Sequence, residues 1–179
     1  MKKQKIILGI LLIFLTSFSV FSQNDTIKNP IVQRNSLKID EKNNFPFPIG
    51  FVNDYEHIFT KEQNEKLEKL ISDYEKLTTR EIAIVTINSI EPYDNFKDFS
   101  TDLSNDWGVG KYKKDNGLVI VFSKNLKELR ISTGNETEKI LTNEICKKII
   151  DNFMIPEFKN GKFYTGIEKG LIELINKWK

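Results

Sequence analysis

Three acidic residues and an asparagine lie in two glycine-containing segments, and their side chains carry the oxygen atoms that hard metal ions prefer. Asp115 and Asn116 form an Asp-Asn-Gly sequence directly before an apolar run, and Glu136 and Glu138 follow Gly134. Zinc is disfavoured because the chain has one histidine and one cysteine. The pattern predicts a site for Ca²⁺ or Mg²⁺, with Ca²⁺ preferred because irregular loops offer oxygen ligands at flexible distances.

Two other interpretations of these segments compete with a metal site. Asp-Asn-Gly is also a common turn sequence before a strand, in which case the glutamates are solvated charges. Gly108 and Gly110 resemble a phosphate-binding loop, but a nucleotide loop has its glycines between a strand and a following helix. Here they follow a helical pattern and precede a strand, so a dinucleotide site is disfavoured. The turn and the metal site both remain open.

The elements that position these residues follow from the periodicity of the apolar side chains. Thr60 and Gln63 form a capping-box pattern that predicts a helix over residues 61–77, and a second helical pattern covers residues 96–107. Short β-branched runs predict three strands, and two further helical patterns close the chain. The predicted strands are residues 81–87, 118–122 and 128–133, and the closing helices are residues 143–153 and 164–178.

The order of these elements predicts which residues meet. A helix joins the first two predicted strands, which favours a parallel crossover, whereas a tight turn makes the second and third antiparallel. The hairpin brings the start of the second strand beside the end of the third, so Asp115 is expected to meet Glu136 and Glu138. Asp54 precedes the first helix and is expected at the opposite end of the sheet. Asp54 and Asp115 then belong to two centres, unless the strand directions differ.

The N-terminal region is typical of an exported protein. Residues 1–22 contain a basic start, an apolar stretch and a cleavage point ahead of Gln23. The apolar stretch is shorter than the ~20 residues that span a bilayer, so we predict a cleaved signal peptide and a periplasmic or secreted protein. A retained signal would tether it to the membrane. Residues 23–50, which are polar with three prolines, are predicted to be a flexible linker, and residues 51–179 a single folded domain.

The charge balance and the cysteine content bear on nucleic-acid binding and on how the domain is stabilised. The chain has 27 Lys and Arg residues against 25 Asp and Glu residues, a balance that gives no indication of nucleic-acid binding. Its one cysteine, Cys146, lies on the apolar side of a helical pattern and is interpreted as a core residue. The domain is therefore held together by packing without an internal disulfide, and we expect a monomer.

Four segments together resemble the TPM-domain family in their order and spacing. They are the Asp54 segment ahead of the capped helix, Trp-Gly-Val-Gly at residues 107–110, Asp-Asn-Gly before the apolar strand, and Arg-Ile-Ser-Thr-Gly at residues 130–134 with Glu138 after it. The resemblance extends from Phe51 to about Leu171. It implies a three-layer α/β/α sandwich, Rossmann-like, on a small, mixed, mostly parallel sheet.

The resemblance also carries expectations about function. Many members of the family are exported or tethered to membranes; some bind divalent cations, calcium in particular, and an acid-phosphatase activity is attributed to others. The family motif falls on Asp54, Trp107, Gly108, Gly110, Asp115, Asn116, Gly117, Arg130, Gly134 and Glu138. Many members have a second glycine where this chain has Glu136.

Three functions remain open from the sequence. As a binding module, the domain would hold Ca²⁺, or Mg²⁺, together with an envelope or membrane protein partner. The resemblance adds Asp54 to the predicted metal ligands. As a metal-dependent acid phosphatase, it would use Asp54 or Asp115 as the catalytic residue. The third alternative is a structural interaction module without a ligand. Of the three, the sequence favours the binding module.

Overall fold

The computed structural model describes residues 45–111 and 113–179, so the predicted signal peptide and residues 23–44 of the predicted linker lie outside it. Four strands and six α-helices lie in the described part. In chain order they are β1 (Val52–Asp54), α1 (Lys61–Thr78), β2 (Glu81–Thr86), α2 (Phe96–Trp107), β3 (Gly117–Ser123), β4 (Glu128–Thr133), α3 (Asn135–Glu138), α4 (Asn143–Ile149), a π-helical turn (Ile150–Met154), α5 (Ile155–Lys159) and α6 (Phe163–Lys177). Within the described residues, no helix has the length and apolar character that crossing a bilayer requires.

The four strands form one sheet in the order β1, β2, β3, β4. β1, β2 and β3 run parallel, and β4 pairs antiparallel with β3, so the predicted strand directions are confirmed. Asp54 is paired with Thr86 at one end of the sheet, whereas Gly117 is paired with Glu81 at the other. β1 was missed from the sequence because a strand of three residues is too short to show an alternating pattern.

Helices cover both faces of the sheet. Successive strand side chains point to opposite faces, so Ile84 and Ile120 pack with α1, α4 and α6, whereas Val85 and Val121 pack with α2. Cys146 is 5% exposed and belongs to the first of these cores, as predicted. The three-layer α/β/α sandwich on a mostly parallel sheet is confirmed.

The first predicted closing helix is interrupted. α4 ends at Ile149, and a π-helical turn leads into α5, which has Pro156 in its first turn. Proline has no backbone N–H to donate, so the regular α-helical hydrogen bonds cannot continue through this position. Met154, the last residue of the π-helical turn, packs against α6, where a Cβ atom added to Gly170 would lie 2.1 Å from the Met154 Cε atom. The predicted helix over residues 143–153 is therefore wrong at its C-terminal end.

Residues 45–50, which the sequence assigns to the linker, are part of the folded domain. Phe45 is 4% exposed, and its ring lies 5.8 Å from Tyr93 and 5.7 Å from Phe99, measured between ring centroids. The Trp107 Nε1–H group donates to the Pro46 carbonyl at 3.0 Å. The polar, proline-containing composition around Phe45 concealed this packing, so the domain begins before Phe51.

Candidate functional site

The turn before β3 and the loop after β4 meet, as the hairpin topology predicts. The backbone N–H of Asn135 donates to Asp115 Oδ2 at 3.0 Å, and the backbone N–H of Glu136 donates to the Asp115 carbonyl at 3.2 Å. A Cβ atom on Gly134 would lie 2.4 Å from that carbonyl oxygen, so only glycine permits this approach. These contacts fix the Asp115 carboxylate at the end of the sheet.

The segment that leaves α2 reaches the same place. A Cβ atom on Gly117 would lie 1.9 Å from the Val109 carbonyl oxygen, which means that this segment crosses directly over the start of β3. Gly110 donates its N–H to Glu81 Oε2 at 2.7 Å. The Lys111 ammonium binds the carboxylates of Glu75 and Glu81, and these two hydrogen bonds raise the pKa of Lys111. The crossing segment is therefore tied to α1 and β2.

A cavity of about 210 Å³ lies between α2 and β4, next to these crossing segments. Two carboxylates, those of Asp115 and Glu138, line it. Most of its remaining lining is polar: Thr101, Ser104, Asn105, Arg130, Ser132, Thr133 and Asn143. Sites for drug-sized ligands measure ~300–1,000 Å³, so this cavity suits an ion or a small functional group.

Arg130 and Ser132, which line the cavity, each carry a buried polar atom that has no hydrogen-bond partner within the described ranges. Arg130 Nε and Ser132 Oγ are buried and unpaired, as is Thr137 Oγ1 nearby in the chain. Arg130 also makes no salt bridge with any described residue. A buried polar group without a partner costs about 1–3 kcal/mol, and such groups are uncommon. These buried atoms thus have hydrogen-bonding capacity that residues 45–111 and 113–179 leave unused.

Asp54 lies at the opposite end of the sheet from Asp115, as the topology predicts. Its Oδ1 atom accepts hydrogen bonds from the Ile58 N–H at 3.0 Å and the Thr86 hydroxyl at 2.6 Å. Its Oδ2 atom accepts from the Phe59 N–H at 2.8 Å. The carboxylate therefore fastens the segment before α1 to β2, and Asp54 and Asp115 do not share a site.

Asn116 and Glu136 lie close in sequence to the cavity but outside its lining. Asn116 Oδ1 accepts from the Lys111 N–H at 2.9 Å, and its Nδ2 group donates to the Thr79 carbonyl at 3.0 Å. Glu136 pairs with Lys139 at 2.5 Å on the surface. Among the described residues, no three His, Cys, Asp or Glu side chains come together as metal ligands. Of the predicted ligands, only Asp115 and Glu138 meet in one cavity.

The donor atoms in the cavity fit a hard cation. Glu138 Oε1 accepts from the Asn143 amide at 2.7 Å, while Asp115 Oδ1 and Glu138 Oε2 accept no hydrogen bond from the described residues. Residues with hydroxyl and amide oxygens line the same cavity, and such neutral oxygens are ordinary calcium ligands. Two carboxylates provide less negative charge than the three that the sequence predicts.

Sequence reasoning missed the neutral part of this site. Ser104 and Asn105 lie on the side of α2 that lines the cavity, and Ser132 lies on β4. Their signal in the sequence is weak, because polar residues on a helix or an outer strand are ordinarily solvated. The one usable sign is the alternation Leu129, Arg130, Ile131, Ser132, in which the polar residues share the sheet face opposite to the Leu129 and Ile131 side chains.

Comparison with solved structures supports the fold. The N-terminal domain of a protein from P. gingivalis has 28% sequence identity and a TM-score of 0.65, and the match covers 71% of this chain and 80% of that one. The BA42 protein from Bizionia argentinensis has 23% identity and a TM-score of 0.56, and the match covers 69% of this chain and 88% of that one. The N-terminal domain of the cg2496 protein from Corynebacterium glutamicum has 12% identity and a TM-score of 0.55, with 74% and 82% covered. The last two similarities concern the fold alone.

Family membership follows from the sequence match. No curated protein matches the chain. The family model of the TPM domain, however, matches residues 52–177, which include every strand and helix of the described structure. The chain therefore belongs to the TPM-domain family.

Proposed function

We propose that this TPM domain binds one divalent cation in the cavity between α2 and β4, and that it prefers Ca²⁺ to Mg²⁺. The observation that carries the proposal is that Asp115 and Glu138 line one cavity while each has a carboxylate oxygen that accepts no hydrogen bond from the described residues. Calcium takes about six to eight oxygens in flexible geometry, whereas magnesium demands a tighter octahedron. Hydroxyl and amide oxygens of the cavity wall supply the rest.

The biological role that we propose is an exported accessory module. The basic and apolar pattern of residues 1–22 supports export, into the periplasm or out of the cell. A cavity of about 210 Å³ has room for a cation and a small group of a partner, which favours binding of an envelope or membrane protein over turnover of a large substrate. The bound cation then stabilises the surface that the partner contacts.

A calcium titration tests the proposal. Calcium should shift the amide NMR signals of residues around Asp115 and Glu138 and raise the melting temperature, because a ligand that binds only the folded state stabilises it. Glu138→Gln should weaken binding by more than about tenfold. Glu136→Gln is the matched control, since it removes the same charge from the same short helix but lies outside the cavity lining. Its calcium affinity should stay close to that of the wild type.

Two results would contradict the proposal. The first is that calcium at about 10 mM, roughly tenfold above the Kd of the weakest natural calcium sites, moves neither the melting temperature nor the amide signals. In that case Asp115, Asn116 and Gly117 form a turn and nothing more. The second is equal loss of affinity in Glu136→Gln and Glu138→Gln, which would place the cation on the surface of α3 instead of in the cavity.

A metal-dependent acid phosphatase is the second candidate, and one observation favours it. Arg130 lies in the same cavity as Asp115, and a guanidinium group binds phosphate oxygens well, while a bound metal ion lowers the pKa of attacking water. We expect hydrolysis of a generic phosphomonoester to be absent or weak. A robust metal-dependent rate that Asp115→Asn abolishes and Asp54→Asn preserves would replace the binding proposal with this one.

A further inference from the structure

We propose that Arg130 and Ser132 bind one carboxylate group of a ligand, and that they do so only when the cation is present. This inference rests on the proposed cation site, because Arg130 and Ser132 line the same cavity as Asp115 and Glu138. It names the chemistry of the partner, which is an acidic side chain or a chain terminus.

The first argument is the position of the two donors. Arg130 and Ser132 are two residues apart on β4, so their side chains share one face of the sheet, the face that α2 covers. Their partners on β3 are Val121 and Val119, which belong to the apolar core beneath α2. Two hydrogen-bond donors therefore lie two residues apart on the edge strand β4, and each is paired with a valine of β3.

The second argument is that these donors are unpaired. Arg130 Nε and Ser132 Oγ are buried and lack a hydrogen-bond partner in the described structure, although their burial without one is costly. An arginine side chain presents its N–H groups in a planar fork that matches the two oxygens of a carboxylate. A carboxylate that accepts from Arg130 Nε and the Ser132 hydroxyl would satisfy both groups at once.

The third argument is charge. Among the described residues, the charged side chains of the cavity lining are those of Asp115, Glu138 and Arg130, so they give the cavity one net negative charge, which repels an anion. A divalent cation reverses the sign and leaves one positive charge, which a single carboxylate neutralises. A phosphate dianion would overshoot that balance. Carboxylate binding should therefore depend on the cation, and by linkage the carboxylate should strengthen cation binding by the same factor.

The probe is acetate, compared with chloride at equal ionic strength. In protein with bound calcium, acetate should shift the NMR signal of the Arg130 Nε–H group, and free-calcium measurements should show the apparent calcium Kd falling about fivefold, at the low end of typical coupling between two sites. The Arg80 signal is the internal reference, since Arg80 donates to the Trp178 carbonyl elsewhere in the fold. With calcium removed by a chelator, acetate should shift neither signal.

Two variants separate this role from a structural one. Arg130→Gln should bind calcium at least as tightly as the wild type, because a repelling charge is gone, yet it should lose the effect of acetate. Lys127→Gln is the control, since it removes the same charge from the exposed turn before β4 and should keep the full effect. Ser132→Ala should reduce the effect of acetate, and it provides the test if Arg130→Gln does not fold.

The outcomes distinguish this inference from the proposed function. If wild-type protein does not bind calcium, the cation site itself is wrong. If calcium binds but acetate changes neither the calcium Kd nor the Arg130 signal, the cation site stands and the carboxylate site is wrong, with water satisfying Arg130 and Ser132. If inorganic phosphate lowers the calcium Kd more than acetate does, the ligand is a phosphate group and the carboxylate assignment is overturned.

Discussion

Single glycines set the position of the Asp115 carboxylate, because two backbone segments cross beside it with no room for a side chain. Gly117 lies under the Val109 carbonyl, and Gly134 lies against the carbonyl of Asp115 itself. These are steric requirements, distinct from the left-handed backbone that Gly108 adopts at the end of α2 with φ of 60°. The cavity geometry therefore depends on residues that contribute no ligand atom.

A pair of substitutions separates the two requirements. Gly117→Ala forces the backbone apart, since its Cβ atom would lie 1.9 Å from the Val109 oxygen, and overpacking of this kind costs about 1–3 kcal/mol or more. Gly108→Ala meets no atom within 4 Å, so its only cost is that of the left-handed conformation for an L-residue, about 1–2 kcal/mol. Urea denaturation should show a larger decrease in the free energy of unfolding for Gly117→Ala than for Gly108→Ala. Equal losses would mean that the close crossing does not constrain the loop.

At the scale of elements, the sequence predicted those that have a strong period and clear ends. α2 begins and ends where predicted, because Asn95 caps its start and Gly108 ends it. β2 and β3 are buried on both faces, and their β-branched runs were sufficient to find them. The meeting of the turn before β3 with the loop after β4 followed from the antiparallel hairpin alone.

The features that could not be predicted from the sequence depend on contacts between residues far apart in the chain. β1 has three residues and is defined only by its pairing with β2. The fit of Met154 against Gly170 is likewise invisible in a periodic pattern. The same holds for the site: Asp115 was predictable from its turn, whereas the inward position of Ser132 required knowledge of which face of β4 is covered. The surface position of Glu136 depends on the short helix α3, whose four residues show no period.

Asp54 joins three elements and gives a prediction at this scale. Its carboxylate accepts from two N–H groups before α1 and from the Thr86 hydroxyl of β2. Asp54→Asn places an amide NH₂ group against these donors, so the free energy of unfolding should fall by about 1–3 kcal/mol. The calcium affinity of the folded variant should not change, because Asp54 and Asp115 lie at opposite ends of the sheet.

The control for this variant is Asp94→Asn. Asp94 is exposed, and removing its charge should alter stability by no more than about 0.5 kcal/mol. Denaturant unfolding and a calcium titration on the same samples provide both readouts. A tenfold loss of calcium affinity in Asp54→Asn with unchanged stability would show that Asp54 is a ligand after all, in a second centre.

At the scale of the whole molecule, cleavage of the signal peptide has to leave the complete folded domain intact. We propose cleavage ahead of Gln23, which leaves the segment that contains Phe45 attached to the domain. Intact-mass measurement of the native protein should show a chain that starts at or within a few residues of Gln23. Retention of Met1 would instead mean a protein tethered to the membrane by its signal.

The packing of Phe45 predicts that the N-terminal boundary of the domain affects its stability. A chain that starts at Phe51, the boundary predicted from composition, lacks the Phe45 ring, which is 4% exposed and packs on Tyr93 and Phe99. It also lacks the carbonyl of Phe47, which accepts from the Tyr55 hydroxyl at 2.5 Å. Loss of a buried phenylalanine costs about 3–5 kcal/mol, so the shortened chain should unfold at clearly lower urea concentration.

The matched comparison is a chain from Gln23 that carries Phe45→Ala. It keeps the length and the backbone hydrogen bonds of residues 45–50 but removes the ring, so it should account for most of the stability that truncation at Phe51 removes. Phe47→Ala in the same chain should change little, because that side chain is 51% exposed. If truncation at Phe51 leaves the urea midpoint where it is in the chain from Gln23, residues 45–50 contribute nothing to the fold and belong to the linker after all.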